Sequence, residues 1–249
     1  NEGLLLHSAW TGRRVMGMVE FLWGLSDGIN DAGLSIALAY GGRQETGRGF
    51  GITTILRYVL ETCETVPQAL RVLQRVPSHM PYNVVVADAS GAGASVEMYA
   101  GGGAKVQPRL VATNHQTDGS TPDRGSFTRT FERSKHLVSV LSEGVTPSAL
   151  ANQFTQAPLK QDRYAEGFGT LFTAEYEPKC RKMTLHWDDE VWPQSIDTFE
   201  EGTRQVTYGS APSSVAAGGA IDWVQIGLDY AAGRGVDWRR FVPAGGDVA

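Results

Sequence analysis

The chain has 249 residues, of which 41% are hydrophobic and 20% charged, with a formal net charge of −5. That length supplies core for one large domain or two small ones, and the acidic balance excludes nucleic-acid coating or binding to an anionic membrane, which need a basic surface. No apolar run reaches the roughly 20 residues of a membrane span, no signal-peptide pattern opens the chain, and Cys63 and Cys180 make neither a disulfide framework nor a metal cluster, so a reducing, cytoplasmic setting is expected.

Residues 4–10 and 15–23 predict two strands joined by the turn Thr11-Gly12-Arg13-Arg14. Asp27-Gly28-Ile29-Asn30-Asp31-Ala32-Gly33 reads as turn chemistry, and residues 34–40 as a third strand. Ile52, Ile55, Leu56, Val59, Leu60 and Cys63 then fall on one face of a helix over 50–63. A second helix over 66–75 starts from Thr65 as N-cap, with Pro67 in its first turn. Strands over 82–87 and 95–99 flank the turn Asp88-Ala89-Ser90-Gly91, Gly101-Gly102-Gly103 is a loop, and a strand over 109–113 ends at Asn114.

Helices are expected over 127–141 and 146–154, the latter with Thr146 as N-cap before Pro147. Residues 168–176 and 183–187 make a hairpin around Glu177-Pro178-Lys179. The run from Ser210 to Gly219 has linker composition, which divides the chain into a domain over 1–208 and a linker and tail over 209–249. Strand and helix patterns are segregated along the chain, and the strands alternate too strongly for a doubly wound parallel sheet. The expectation is α+β, two stacked antiparallel sheets with the helices outside.

Several segments in order carry a resemblance: residues 2–6, 27–34, 50–52, 57–63, 82–84, Ala112-Thr113-Asn114-His115-Gln116, 167–171 and 194–197. Together they resemble the acyltransferase branch of the N-terminal-nucleophile (Ntn) hydrolases, the isopenicillin-N acyltransferase-like and choloylglycine-hydrolase-like proteins. The resemblance implies a four-layer αββα sandwich, incomplete or completed by a second chain. It also implies acyl transfer or amide hydrolysis through a cysteine thioester. The nucleophile of that chemistry is a Cys that opens the mature chain, and its own α-amine, with a pKa of about 7.7–8.0, serves as base. An Arg and an Asp follow it closely.

Here residue 1 is Asn, and Cys63 and Cys180 lie deep in the chain. The expected partner is therefore a second polypeptide carrying the Cys strand, together with a small-molecule acyl substrate. No cofactor, metal, nucleic acid or membrane is expected. The alternative is a nucleophile-less binding or scaffold domain, alone or within a biosynthetic synthase. The tail offers further readings: Arg234 to Trp238 has the Arg-x-x-Asp-aromatic form of the strand after the family's nucleophile, and it also suits a linker with a short docking segment.

The resemblance assigns Asn114 to the oxyanion, where the plainer reading is a strand-end Asn bonded to its own turn. It assigns Arg133 to bracing the nucleophile site, against a solvated helix arginine. Tyr40, Gly41 and Gly42 end a strand beside the pocket, where glycines let a backbone N–H approach a substrate carbonyl or simply make a turn. His115 is a further pocket-lining candidate. Asn83 reads as a satisfied core amide, Cys63 as packing, and Cys180, among Lys179, Arg181 and Lys182, as the more reactive thiol without a base.

Overall fold

Alternation along the first strands sorts the side chains into two cores. The computed structural model describes residues 3–208, in which β1 (Leu5–Ser8), β2 (Val15–Glu20) and β3 (Gly24–Asn30) begin a seven-stranded antiparallel meander. It continues through β4 (Ser35–Tyr40), β5 (Tyr82–Ala87), β6 (Gly93–Met98) and β7 (Ala104–Gln107). A bulge between Met18 and Val19 shifts the β2–β3 register. It lets Leu25 face one core while Ile29 faces the other, as an inserted residue reverses alternation.

Between β4 and β5 the chain forms α1 (Ile52–Thr62) and α2 (Val66–Arg75), which cover one face of this sheet. Ile52, Ile55, Leu56, Val59 and Leu60 are buried against Leu34, Ile36, Val84 and Val96. Each such side chain, fully buried, contributes roughly 1.5–3 kcal/mol, so packing holds α1 in the absence of a side-chain cap. Thr65 precedes α2 but makes no capping hydrogen bond. Asp88 of the β5–β6 turn accepts from the Val66 N–H at 2.8 Å instead.

After β7 come α3 (Gly125–Thr128), α4 (Thr130–Ser142), α5 (Pro147–Phe154) and the short pair β8 (Asp162–Arg163) and β9 (Phe168–Gly169). Strands β10 (Thr173–Glu177), β11 (Lys182–His186) and β12 (Val191–Ser195) form a three-stranded antiparallel sheet. Its Met183 and Leu185 pack on Met16, Met18 and Ile29 of the large sheet. On its outer face Glu175 and His186 stand beside α5. The layers run helix, sheet, sheet, helix: the αββα sandwich.

Several local expectations need correction. Asp27 to Asn30 is strand, not turn. Only residues 31–33 turn, because the buried Asn30 side chain organises them: its Oδ1 accepts from the Ala32 and Leu34 N–H groups at 3.1 and 2.9 Å. Residues 109–113 join no ladder. Side chains hold them instead, Ser95 donating to Val111 O and Asn83 to Thr113 O. The helix expected over 127–141 breaks at Arg129, whose φ is 51°, and restarts as α4. Strands β7 and β12 fall outside the predicted elements; Pro193 sits in β12, an edge strand of its sheet, where no ladder donor is required of it.

Among the described residues, those up to Val206 form one compact unit. The expectations for residues 209–249 lie outside the described residues.

Candidate active site

The end of β4 sets the geometry. Gly41 continues the strand pairing, its N–H donating to Pro81 O at 3.0 Å. Gly42 turns away with φ of 88°, and a Cβ on it would stand 2.7 Å from Asn114 O. The glycine therefore lets the strand end abut the 111–117 segment. Gly42 O accepts from the Asp123 N–H at 2.7 Å, and Tyr40 Oη donates to Asp123 Oδ2 at 3.2 Å. Burial, then the Asp123 carboxylate, push the Tyr40 phenol up to about 12, so it remains a donor at neutral pH.

The Asn114 amide spans the gap between α4 and β4. Arg133 Nη2 donates to Asn114 Oδ1 at 2.9 Å. A guanidinium can only donate, so this contact fixes the amide's orientation and turns its NH₂ the other way. Nδ2 lies 3.5 Å from Tyr40 O, at the outer limit of a hydrogen bond. Arg133 is half-buried, and burial lowers its pKa. Among the described residues it has no carboxylate partner. The guanidinium thus brings an unneutralised positive charge to the Asn114 side chain.

His115 points elsewhere. Its Nδ1 lies 2.8 Å from Thr130 Oγ1 and 3.1 Å from Thr113 Oγ1, and its ring packs on Phe131 at 4.4 Å. Burial lowers its pKa, the Glu97 carboxylate opposes that, and Arg133 adds to it. Tyr40, Gly41, Gly42, Asn114 and Arg133 are brought together, whereas His115 lines a separate cavity behind the segment.

Three polar side chains hold the segment in place. Of these the sequence singles out only Asn83, as a satisfied core amide; its NH₂ is engaged, whereas its Oδ1 is buried without a partner among the described residues. Asn83 Nδ2 donates to Thr113 O and His115 O at 2.7 and 2.8 Å. Gln116 Nε2 donates to Met98 O at 2.9 Å, and its Oε1 accepts from Arg43 at the same distance. Glu97 accepts from the Thr117 N–H at 2.7 Å. Asn83 interrupts an otherwise apolar strand, and Glu97 stands between Val96 and Met98, which was the available signal. A polar residue inside a buried strand must find partners, and here those partners are the unpaired backbone groups of the next segment.

Neither cysteine is near this junction. Cys63 O accepts from Asn30 Nδ2 at 2.7 Å, and Pro178, two residues before Cys180, abuts Gly33. Both contacts lie at the start of β4, whereas Tyr40 ends it. Six residues of strand span about 20 Å. Burial raises the Cys63 pKa further from reactivity. Among the described residues no group of three or more His, Cys, Asp or Glu side chains could hold a metal ion, and no helix is long and apolar enough to cross a membrane.

A family model described as acyl-coenzyme A:6-aminopenicillanic acid acyl-transferase matches residues 2–192. Similar solved structures include the Caenorhabditis elegans ortholog of N-acylethanolamine-hydrolyzing acid amidase, with 15% identity, covering 74% of this chain and 79% of that one at a TM-score of 0.49. Penicillin V acylase from Agrobacterium tumefaciens is 17% identical over 75% of this chain and 70% of its own, with a TM-score of 0.47. A mutant of the conjugated bile acid hydrolase from Clostridium perfringens is 12% identical over 82% of this chain and 84% of its own, with a TM-score of 0.49. No curated protein sequence matches the chain.

Proposed function

Because the chain belongs to the acyl-coenzyme A:6-aminopenicillanic acid acyl-transferase family of Ntn hydrolases, whose chemistry is acyl transfer and amide hydrolysis, we propose that it supplies the oxyanion-binding part of such an enzyme. In this reading the nucleophile is the thiolate of a cysteine that leads a second polypeptide and docks beside Asn114. The thiolate attacks the acyl carbonyl carbon, and the carbonyl electron pair moves onto oxygen. Asn114 Nδ2–H and the Gly42 N–H donate to that oxyanion, and the Arg133 charge stabilises it through Asn114. Collapse expels the amine or thiolate, the amine taking its proton from the cysteine's own α-ammonium. Water or an acceptor amine then cleaves the thioester.

The junction of Arg133, Asn114 and the β4 end carries this reading, because it aims an oriented amide at a strand end where Gly42 has an N–H without a hydrogen-bond partner among the described residues. The test is intact-mass analysis of material from the native source, with turnover of acyl amides and thioesters. A co-purifying polypeptide that begins with Cys and gains an acyl mass with substrate is the expected result. Asn114→Ala in that complex should lower kcat by about 10²–10³-fold, as loss of one oxyanion donor does elsewhere. Robust turnover by the 249-residue chain alone, abolished by Cys180→Ala, would overturn the reading.

A second reading, a binding or scaffold domain without a nucleophile, draws on the position of both cysteines at the far end of β4. Absence of any Cys-led polypeptide together with absence of turnover would favour it.

A further inference from the structure

Gly42 and Asn114 lie in two segments, 41–49 and 111–120, that join no strand ladder. The separation of their donors is therefore set by side-chain and turn contacts between the segments. Arg43, directly after Gly42, reaches across with its whole fork. Its Nη1 donates to Asp118 Oδ2 and Ser120 Oγ, and its Nη2 to Gln116 Oε1 at 2.9 Å and Glu45 Oε1 at 3.0 Å. Asp118, Ser120 and Gln116 all belong to the Asn114 segment. Gln116 is buried, and its Nε2 donates to Met98 O at 2.9 Å and Tyr82 O at 3.3 Å. A guanidinium only donates, so Arg43 fixes this amide with its oxygen on the fork and its NH₂ on the sheet. Asp118 also accepts from the Ser120 N–H at 3.1 Å and hydroxyl at 2.6 Å. The Ser120 hydroxyl, then Arg43, hold the Asp118 carboxyl at about 2, so this pair is fully charged at neutral pH.

We propose that Arg43 is a positioning residue of the oxyanion junction: its guanidinium clamps the Asn114 segment to the Gly42 turn and so sets the separation of the two donors. Its catalytic consequence rests on the acyl-transfer reading, whereas the clamp itself is a property of this chain alone. A lysine would not replace it, because an ammonium offers three donors from one point and not a planar fork. The plainer alternative is an ion-pair cluster that only adds stability. Arg13 supplies the comparison, with Nη1 on Asp31 at 2.8 Å and Nη2 on Glu64 at 2.6 Å. It is similarly half-buried, but Asp31 precedes β4, at the end of that strand away from Gly42.

A Cβ on Gly42 would stand 3.4 Å from His115 Cα, so the Gly42 and His115 α-protons lie within nuclear Overhauser reach. In the full 249-residue chain, Arg43→Met should weaken that cross-peak at least twofold and leave the β4–β5 cross-strand peaks intact. Arg43→Lys should fail to restore it, and Arg13→Met should leave it unchanged. In the complex with the cysteine-led polypeptide, Arg43→Met should lower kcat on acyl amides about 10- to 100-fold, the range expected when a reacting group is misplaced by up to about 1 Å. KM should stay within about twofold, and Arg13→Met should change neither constant. If Arg43→Met fails to fold, Asp118→Asn, which removes one charge of the clamp at constant size, carries both comparisons with a smaller effect in the same direction. An unchanged cross-peak in a folded variant, a parental kcat, or an equal fall in Arg13→Met would each overturn the proposal. A parental complex without turnover would sink the acyl-transfer reading instead, and the cross-peak would still decide whether Arg43 is the clamp.

Discussion

A Cβ at residue 42 would stand 2.7 Å from the Asn114 carbonyl oxygen and 2.8 Å from Pro122 Cβ, on a backbone with φ of 88°. The left-handed conformation alone costs a non-glycine residue roughly 1–2 kcal/mol, and the contacts add to it because backbone and a proline ring have little room to give. Gly42→Ala should therefore lower unfolding free energy in urea by about 2 kcal/mol or more, with an unchanged denaturant slope. An unchanged midpoint would mean that the strand end does not abut the Asn114 segment. At this scale the sequence alone was a poor guide. Asn114 and Arg133 stood out only through the family resemblance, because an Asn after a strand and an Arg on a helix are ordinary residues. Their contact joins positions 19 apart across a turn that nothing in the pattern describes. Gly41 and Gly42 were read together, yet the Gly41 N–H is engaged by Pro81 and only Gly42 keeps its donor free among the described residues.

Strand β3 shows how polar chemistry inside an element both hid it and gives it a testable pH dependence. Asp27 is buried between the sheets, accepting from the Tyr176 hydroxyl and, at 2.9 Å, from Ser26. Burial raises its pKa, the Tyr176 and Ser26 hydrogen bonds oppose that, and Glu20 adds to it. A carboxyl with a raised folded pKa binds its proton more tightly folded than unfolded. Stability therefore falls as pH rises through the ordinary carboxyl range near 4 towards the raised value, and is flat above it. Asp27→Asn keeps an acceptor for Tyr176 and removes the buried charge. It should be more stable than the parent chain at neutral pH, with the difference vanishing near pH 3. An equal difference at both pH values would show that Asp27 ionisation is not linked to folding. The same Asp and its Asn and Gly neighbours made 27–33 look like a turn, because turn propensity is local whereas the pairing of Asp27 with Met18 and Ala37 is not. Helix α1 was legible for the opposite reason: its buried residues recur at helical spacing and need no partner to be recognised. The capping of α2 by Asp88 and the side-chain support of 109–113 were out of reach, since both depend on residues brought close only by the fold.

Across the whole molecule the two sheets differ in extent. The three-stranded sheet seats Met183 and Leu185 over Met16, Met18 and Ile29, which are buried. Farther along the same face of the large sheet, Ala37, Ala39 and Val85 of β4 and β5 remain half-buried. Small side chains at Ala37 and Ala39 let another backbone layer approach closely, and burying their apolar surface contributes about 25 cal/mol per Å² removed from water. This face adjoins the Tyr40–Gly42 turn through β4 itself, so it is where the cysteine-led polypeptide of the proposed function would lie. Taken alone, the chain should bind a hydrophobic dye and self-associate as its concentration rises, as apolar patches promote. Addition of the second polypeptide should suppress both effects. Ala39→Arg places a long charged side chain on that face, opposite Asn83 in the ladder, and should block association while the far-UV circular dichroism of the chain stays unchanged. If a folded Ala39→Arg chain still assembles with the second polypeptide at parental affinity, that polypeptide docks elsewhere and the oxyanion junction at Asn114 loses its proposed nucleophile.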